Sequence, residues 1–90
     1  MAGTETRIKL TAKSIERLAR EQPSGDVWDT ELGGFHVRYG KRGLTFRLYY
    51  RTKTGKRRMM TLGTYGALTL AQARRDAAEA LGIVAQGGDP

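Results

Sequence analysis

The side chains of this sequence that could take part in binding or catalysis are mainly those of arginine and lysine, because nucleophiles and metal ligands are scarce. The 90 residues contain 16 Lys and Arg, nine Asp and Glu, one His and no Cys, which gives a formal net charge of +7. Without cysteine, disulfides and thiolate metal sites are excluded. One histidine by itself supplies neither a metal site nor a proton relay. We therefore expect this chain to hold no cofactor or metal and to catalyse nothing.

The basic side chains are concentrated in the middle of the chain. Residues 1–31 sum to a charge of −1, residues 32–75 contain 11 basic and no acidic side chains, and residues 76–90 sum to −3. Solvated protein surfaces usually mix both signs of charge. A 44-residue stretch without an acid therefore predicts one face of strongly positive potential that meets a polyanion.

Alternation of apolar and polar residues places these cations on a sheet. Residues 35–39 and 44–51 alternate strictly, and residues 56–62 repeat the pattern. Gly-containing turns at 40–43 and 52–55 separate the three segments. Short turns between successive strands require antiparallel pairing. The prediction is an antiparallel meander of three strands.

Two helices are predicted on either side of this meander in the sequence. Thr11 is a good N-cap for a helix at 12–20, and Thr69 with Gln72 forms a capping box for a helix at 70–86. Apolar residues recur on one face of the second helix, which predicts that it packs on the sheet. The predicted fold class is α+β, with a three-stranded antiparallel β-sheet packed on a C-terminal α-helix and a short N-terminal helix. Residues 1–9 are predicted to form a flexible tail.

The sheet face turned away from the helix has no partner in this predicted fold. The side chains expected on it are His36, Arg38, Thr45, Arg47, Tyr49, Arg51, Met59 and Thr61, and the turns at its rim add Lys41, Arg42, Lys53, Lys56, Arg57 and Arg58. Arginine bonds phosphate or guanine bidentately, and threonine bonds phosphate or contacts a thymine methyl group. A small sheet is narrow enough to enter the major groove. We therefore expect double-stranded DNA as the partner.

On its residues alone, this face also suits partners other than duplex DNA. Sheets that carry arginine and aromatic side chains bind RNA or single strands as well. A basic face can instead contact an acidic protein, or it can simply solvate an exposed strand. His36 is predicted to be a surface strand residue, and Trp28 a core or lid residue. Because no apolar run approaches the roughly 18–20 residues that span a bilayer, no membrane partner is expected.

Several short motifs follow one another at characteristic spacings. They are Leu10-Thr11, Val27-Trp28-Asp29, Leu32-Gly33-Gly34-Phe35, Val37-Arg38, Arg57-Arg58, Leu62-Gly63-Thr64-Tyr65, Leu68-Thr69-Leu70-Ala71-Gln72-Ala73-Arg74 and Gly88-Asp89-Pro90. In this order the pattern resembles the amino-terminal arm-type DNA-binding domain of the tyrosine recombinase family, the integrases of phages, prophages and genomic islands. The resemblance extends from Leu10 to Pro90.

The resemblance implies a function for the chain and a context for it. Residues 10–88 would be the arm-type DNA-binding domain, and residues 89–90 would start a linker to core-binding and catalytic domains that this sequence lacks. The sheet would bind arm-type sites through the major groove during integration and excision. The chain would be no enzyme, although its parent would be a tyrosine site-specific recombinase. Other domains or protomers of that integrase would be further partners, and the location would be the bacterial cytoplasm, at the nucleoid.

Overall fold

A computed structural model of the chain describes residues 6–90. Its elements in chain order are β1 (Thr6–Ile8), α1 (Ala12–Glu21), β2 (Asp26–Asp29), β3 (Phe35–Gly40), β4 (Gly43–Arg51), β5 (Arg57–Thr64) and α2 (Leu70–Ala85). The strands form one sheet in the order β1-β2-β3-β4-β5. β1 is parallel to β2, and the other neighbours are antiparallel. The α+β class, the two helices and the antiparallel meander are thereby confirmed.

The sheet has five strands, so the prediction of three was wrong. β2 pairs with β3 through Val27↔Val37, and β1 pairs with β2 through Thr6↔Val27. Residues 6–8, which the sequence placed in a flexible tail, are therefore a strand, whereas residues 1–5 of that tail lie outside the described residues. A three-residue strand is too short to show alternation. The parallel pairing also depends on the crossover through α1, which no local pattern reveals.

Both helices begin at capping boxes. The Thr11 hydroxyl accepts from the Ser14 N–H at 3.1 Å, while the Ser14 hydroxyl accepts from the Thr11 N–H at 2.8 Å. Thr69 and Gln72 repeat this reciprocal arrangement at the start of α2. Such pairs satisfy amide groups that have no partner within the helix. Since these contacts are local, the helix bounds agree with the predicted ones within one residue.

Both helices pack on the same face of the sheet. Ile15 and Leu18 of α1 lie in one buried cluster with Ala73, Ala77 and Ala80 of α2. The sheet contributes to this cluster Val27, Phe35, Val37, Leu44, Phe46, Leu48 and Tyr50. The alanines of α2 allow the helix to approach the strands closely. The opposite face, called the open face below, is covered by no helix within residues 6–90.

A buried carboxylate connects β2 to both helices. Asp29 is 2% exposed. Its Oδ1 accepts from the Leu10 N–H at 3.1 Å, and its Oδ2 accepts from Nη2 of Arg74 at 2.9 Å. The same Arg74 nitrogen donates to the Leu10 carbonyl at 2.9 Å. Because a buried charge needs a partner, this network holds α2, β2 and the chain entering α1 in one arrangement.

Candidate nucleic-acid interface

The open face is organised in cross-strand rows that the strand register defines. Its central row runs across all five strands through Arg7, Trp28, His36, Arg47 and Thr61. Side chains two residues away along a strand lie on the same face. The row on one side of the centre contains Asp26, Arg38, Thr45 and Thr64, and the row on the other side contains Tyr49 and Met59. The side of the face toward Arg38 and Thr45 is called the basic end below, and the side toward Tyr49 and Met59 is called the aromatic end, although the register pairs Arg51 with Arg57 beyond it.

At the basic end, two arginines from neighbouring strands line a shallow groove of about 200 Å³, here called the basic groove. Its lining residues are Arg38, Gly40, Thr45, Arg47 and Thr61. Guanidinium and hydroxyl groups are the donors that phosphate oxygens and guanine edges accept from. One acid lies beside this groove, because Oδ1 of Asp26 is 3.9 Å from Nη1 of Arg38. The predicted positions of Arg38, Thr45, Arg47 and Thr61 on this face are confirmed.

At the aromatic end lies a larger groove of about 450 Å³, here called the aromatic groove. Its lining residues are Arg7, Trp28, Gly34, Tyr49 and Met59. The rings of Trp28 and Tyr49 meet edge to face with centroids 6.5 Å apart. The guanidinium of Arg7 lies 5.8 Å from the Trp28 ring centroid, within the range of a cation–π contact. The sequence predicted Tyr49 and Met59 here, but it did not predict Arg7, Trp28 or Gly34 as site residues.

His36 is on the open face but is not at the surface, which corrects the sequence prediction. It is 0% exposed, and its ring lies against Trp28 with centroids 4.1 Å apart. Nδ1 donates to the Gly34 carbonyl at 3.0 Å, and Nε2 has no hydrogen-bond partner among the described residues. Alternation identified the face correctly, but it could not show that β2 brings an indole over this ring. His36 therefore supports Trp28, and an incoming ligand would meet Trp28 first.

The electrostatic state of His36 follows from this burial. Burial lowers the pKa of His36 below its ordinary value, and the charges of Arg47 and Arg38 act in the same direction. The Gly34 hydrogen bond and Asp26 oppose this shift with smaller effects. Near pH 7 the ring is thus neutral, and the positive charge of the open face comes from its arginines.

Gly34 determines where Tyr49 lies. Its φ is +85°, a conformation that favours glycine. A Cβ at this position would collide with the carbonyl oxygen of Tyr49. The Gly34 carbonyl also accepts from the Tyr49 N–H at 2.8 Å. Gly34 therefore brings the start of β3 close to β4, at the edge of the aromatic groove that it lines.

The other predicted contact residues lie around this face, with one difference. Exposed cations occupy both hairpin turns, and Arg51 pairs with Arg57 at the ends of β4 and β5. The exposed cations of the two turns are Lys41, Arg42, Lys53 and Lys56. Arg58 differs, because its register partner is the buried Tyr50 and strand neighbours point to opposite faces. It lies on the helix side of β5, where its Nε donates to Oδ2 of Asp89 at 3.1 Å.

The last residues of the chain contact the sheet. The Tyr50 hydroxyl donates to Oδ1 of Asp89 at 2.7 Å and to the Pro90 carbonyl at 3.1 Å. The hydrogen bond between the two side chains lowers the pKa of Asp89 and raises the pKa of Tyr50. Residues 89–90, predicted to start a linker, are therefore held against β4 and β5.

The described part of the chain offers little for other kinds of site. Among residues 6–90, no group of three His, Asp or Glu side chains is placed to hold a metal ion. No helix in this range is long and apolar enough to cross a membrane.

A match to a known protein family agrees with a nucleic-acid interface on the open face. The family model described as "Arm DNA-binding domain" matches residues 10–90, which include both grooves except for Arg7. Among curated proteins, no match to the chain was found. The domains of this family are DNA-binding domains of integrases and are not catalytic. The chain belongs to the arm DNA-binding domain family.

Proposed function

We propose that the chain binds double-stranded DNA by placing its open face in the major groove of an arm-type site. The observation that carries this proposal is the basic groove, in which Arg38 and Arg47 lie beside two threonines on a face that no described helix covers. The charge of +7 adds long-range attraction to a polyanion. The membership in a DNA-binding family supports the same partner.

The dimensions of the sheet suit this mode of binding. Neighbouring strands are about 4.8 Å apart, so the axes of β3 and β5 are about 10 Å apart. The major groove is about 12 Å wide. The meander β3–β5 is therefore similar in width to the groove, and the central row of the open face would lie toward the base edges. β1 and β2 then lie toward one backbone, where Arg7 is available to a phosphate.

The turn residues supply contacts that carry no sequence information. Lys41 and Arg42 lie in the β3–β4 turn, and Lys53 and Lys56 lie in the β4–β5 turn. The two turns are at opposite ends of β4, so their cations reach phosphates at separate places along the duplex. Each phosphate contact releases counterions, which makes the affinity fall steeply as salt increases.

We infer a role for the chain within a larger protein from the family match. The parent would be a tyrosine site-specific recombinase of a phage, prophage or genomic island, in the bacterial cytoplasm at the nucleoid. This domain would hold the arm-type site during integration and excision, while other domains exchange strands at the core site. Those domains, or further protomers, would be its protein partners.

The experiment that tests duplex binding starts from a site selected from random duplexes with the 90-residue chain. Arg47→Ala is expected to weaken binding to this site by about 5- to 100-fold, as loss of a bidentate base contact does. Arg75→Ala is the matched control, because Arg75 is exposed on α2. Fluorescence anisotropy titrations measure both. Equal effects of the two substitutions would contradict the assignment to the open face.

A competition experiment separates the duplex from the single-stranded alternative, which the partly exposed aromatic side chains of the groove would also suit. The selected duplex, each of its single strands and the corresponding RNA compete for the protein at one salt concentration. The proposal expects the duplex to displace the others. Preferential binding of a single strand or RNA would replace it with the alternative.

A further inference from the structure

We propose that the aromatic groove binds the C5 methyl group of a thymine and thereby selects thymine at one position of the DNA site. This inference rests on the proposed binding of duplex DNA and deepens it. The groove has a volume of about 450 Å³ and is separate from the basic groove. No residue lines both of them.

The lining determines which part of DNA the aromatic groove accepts. Tyr49 and Met59 face each other across β4 and β5, and Trp28 extends the apolar surface from β2. Met59 is 46% exposed, so it adds apolar surface that a ligand in the groove can contact. Phosphate gains little from such a lining, where Arg7 is the single cation among the five residues. Among the groups that base edges display in the major groove, the thymine methyl is the apolar one.

The groove lies where the proposed duplex would bring a base. Tyr49 is two residues from Arg47, and Met59 is two residues from Thr61. Two residues along a strand span about 7 Å, which equals about two base-pair steps of 3.4 Å. Arg47 and Thr61 lie at one end of this distance and line the basic groove, whereas Tyr49 and Met59 lie at the other end and line the aromatic groove. One bound duplex can therefore place a guanine at Arg47 and a thymine at the aromatic groove.

The groove is held in shape by contacts that exist without DNA. The Tyr49 backbone is fixed by its hydrogen bond to Gly34 at 2.8 Å. Trp28 lies against the buried His36 on one side and has the Arg7 guanidinium over its ring. A site that is formed in advance does not lose side-chain freedom on binding. Selectivity for a single methyl group requires this rigidity, because the energy involved is small.

The test removes only the methyl group. Each thymine of a selected site is replaced in turn by deoxyuridine, and the affinity of the 90-residue chain is measured for each duplex. At one thymine the replacement is expected to weaken binding about fourfold, the value of one buried methyl or methylene group. In the Met59→Ala variant the same replacement is expected to change the affinity less than twofold. Ile83→Ala is the control, since Ile83 is also an exposed apolar side chain, at 42%, but lies on α2 and is expected to retain the fourfold effect.

The outcomes separate this inference from the proposed function. Tight binding to a selected duplex with no thymine that is sensitive to deoxyuridine overturns the methyl site and leaves duplex binding intact. A methyl effect that persists unchanged in both Met59→Ala and Trp28→Ala assigns the methyl group to another part of the face and also overturns the inference. Failure to bind any duplex overturns the proposed function itself. Because Met59 is exposed, its truncation is expected to leave the fold unchanged, which circular dichroism verifies.

Discussion

The two faces of β4 differ in what covers them. The covered face carries Leu44, Phe46, Leu48 and Tyr50, which are all buried, and the open face carries Thr45, Arg47 and Tyr49, which are partly exposed. The covered face obtains its specificity from packing, because each side chain there must fit helices and neighbouring strands. The open face obtains its properties from the arrangement of charges and rings. A substitution should therefore act mainly on folding on one face and mainly on binding on the other.

The two faces do not divide simply into apolar and polar. The covered side includes the buried Asp29 carboxylate, which pairs with the partly exposed Arg74, and the open side includes the buried His36 ring, which lies against the partly exposed Trp28. Each face thus contains one group that its average composition would not suggest. These groups lie where β2 meets the rest of the fold. Substitutions at them test most directly whether one face determines stability and the other face determines binding.

The largest effect is expected from Arg74→Ala, which would leave the Asp29 carboxylate buried without its ionic partner. Removing one partner of a buried pair costs about 3 kcal/mol of the free energy of unfolding. Chemical denaturation monitored by circular dichroism measures this loss. Arg75→Ala is the matched control, because the exposed neighbour is expected to change stability by less than about 0.5 kcal/mol. Equal losses for the two arginines would show that Asp29 does not depend on this partner.

The same pair shows what the sequence could and could not predict. Asp29 and Arg74 belong to motifs that resemble a family, but no local rule connects residues 45 positions apart. The hairpins and helices were predictable, because alternation, turn glycines and capping boxes are read within a few residues. β1 was not, since Thr6–Ile8 gain their partner only after α1 folds back along the sheet.

The candidate site was predicted only in part, because local patterns can be read from the sequence but the pairing of distant strands cannot. Alternation assigned Arg38, Arg47, Tyr49, Met59 and Thr61 to one face, as the register shows. It could not reveal the aromatic groove, because Arg7 and Trp28 reach that groove through β1 and β2 pairing. A signal was present in Trp28, the one tryptophan of the chain, which lies in a motif next to the glycine pair. Its partners were not visible without the sheet order.

The open face is expected to make stability depend on pH through His36. In the unfolded chain its pKa is near 6.5, and in the folded chain burial lowers it. Well above pH 6.5 the ring is neutral in both states and contributes no difference. Below that pH the unfolded chain binds a proton that the folded chain does not, so stability falls with a slope of at most about 1.4 kcal/mol per pH unit.

His36→Phe isolates this effect, since an apolar ring retains the contact with Trp28 without the proton. Denaturation of both proteins at pH 7.5 and pH 5.5 should show a larger loss for the unchanged chain. The pKa of Asp89 is lowered by Tyr50. Its contribution to stability is therefore lost only as the pH falls through and below the usual Asp range, so Asp89 does not affect the comparison between pH 7.5 and pH 5.5. Identical losses in the two proteins would mean that His36 is accessible to protons in the folded state.

The smallest effect concerns the acid beside the basic groove. Asp26→Asn removes a negative charge 3.9 Å from Arg38, whose side chain is 56% exposed. Oδ1 of Asp26 accepts no hydrogen bond within residues 6–90, so the amide replaces it without loss of one. An exposed ion pair is worth about 0.2–1 kcal/mol. DNA affinity is therefore expected to rise up to about fivefold at low salt and to return toward the unchanged value as salt increases.

Glu79→Gln is the control that separates an effect of charge on the open face from an effect of the total charge. It changes the net charge by the same amount, but Glu79 is exposed on α2, at the groove between that helix and β5. If the open face binds the duplex, Asp26→Asn should increase affinity more than Glu79→Gln, because the Coulomb energy with a phosphate falls with distance and is screened within about 10 Å at 0.1 M salt. Equal increases would mean that affinity follows the total charge, and the assignment of binding to the open face would lose its electrostatic support.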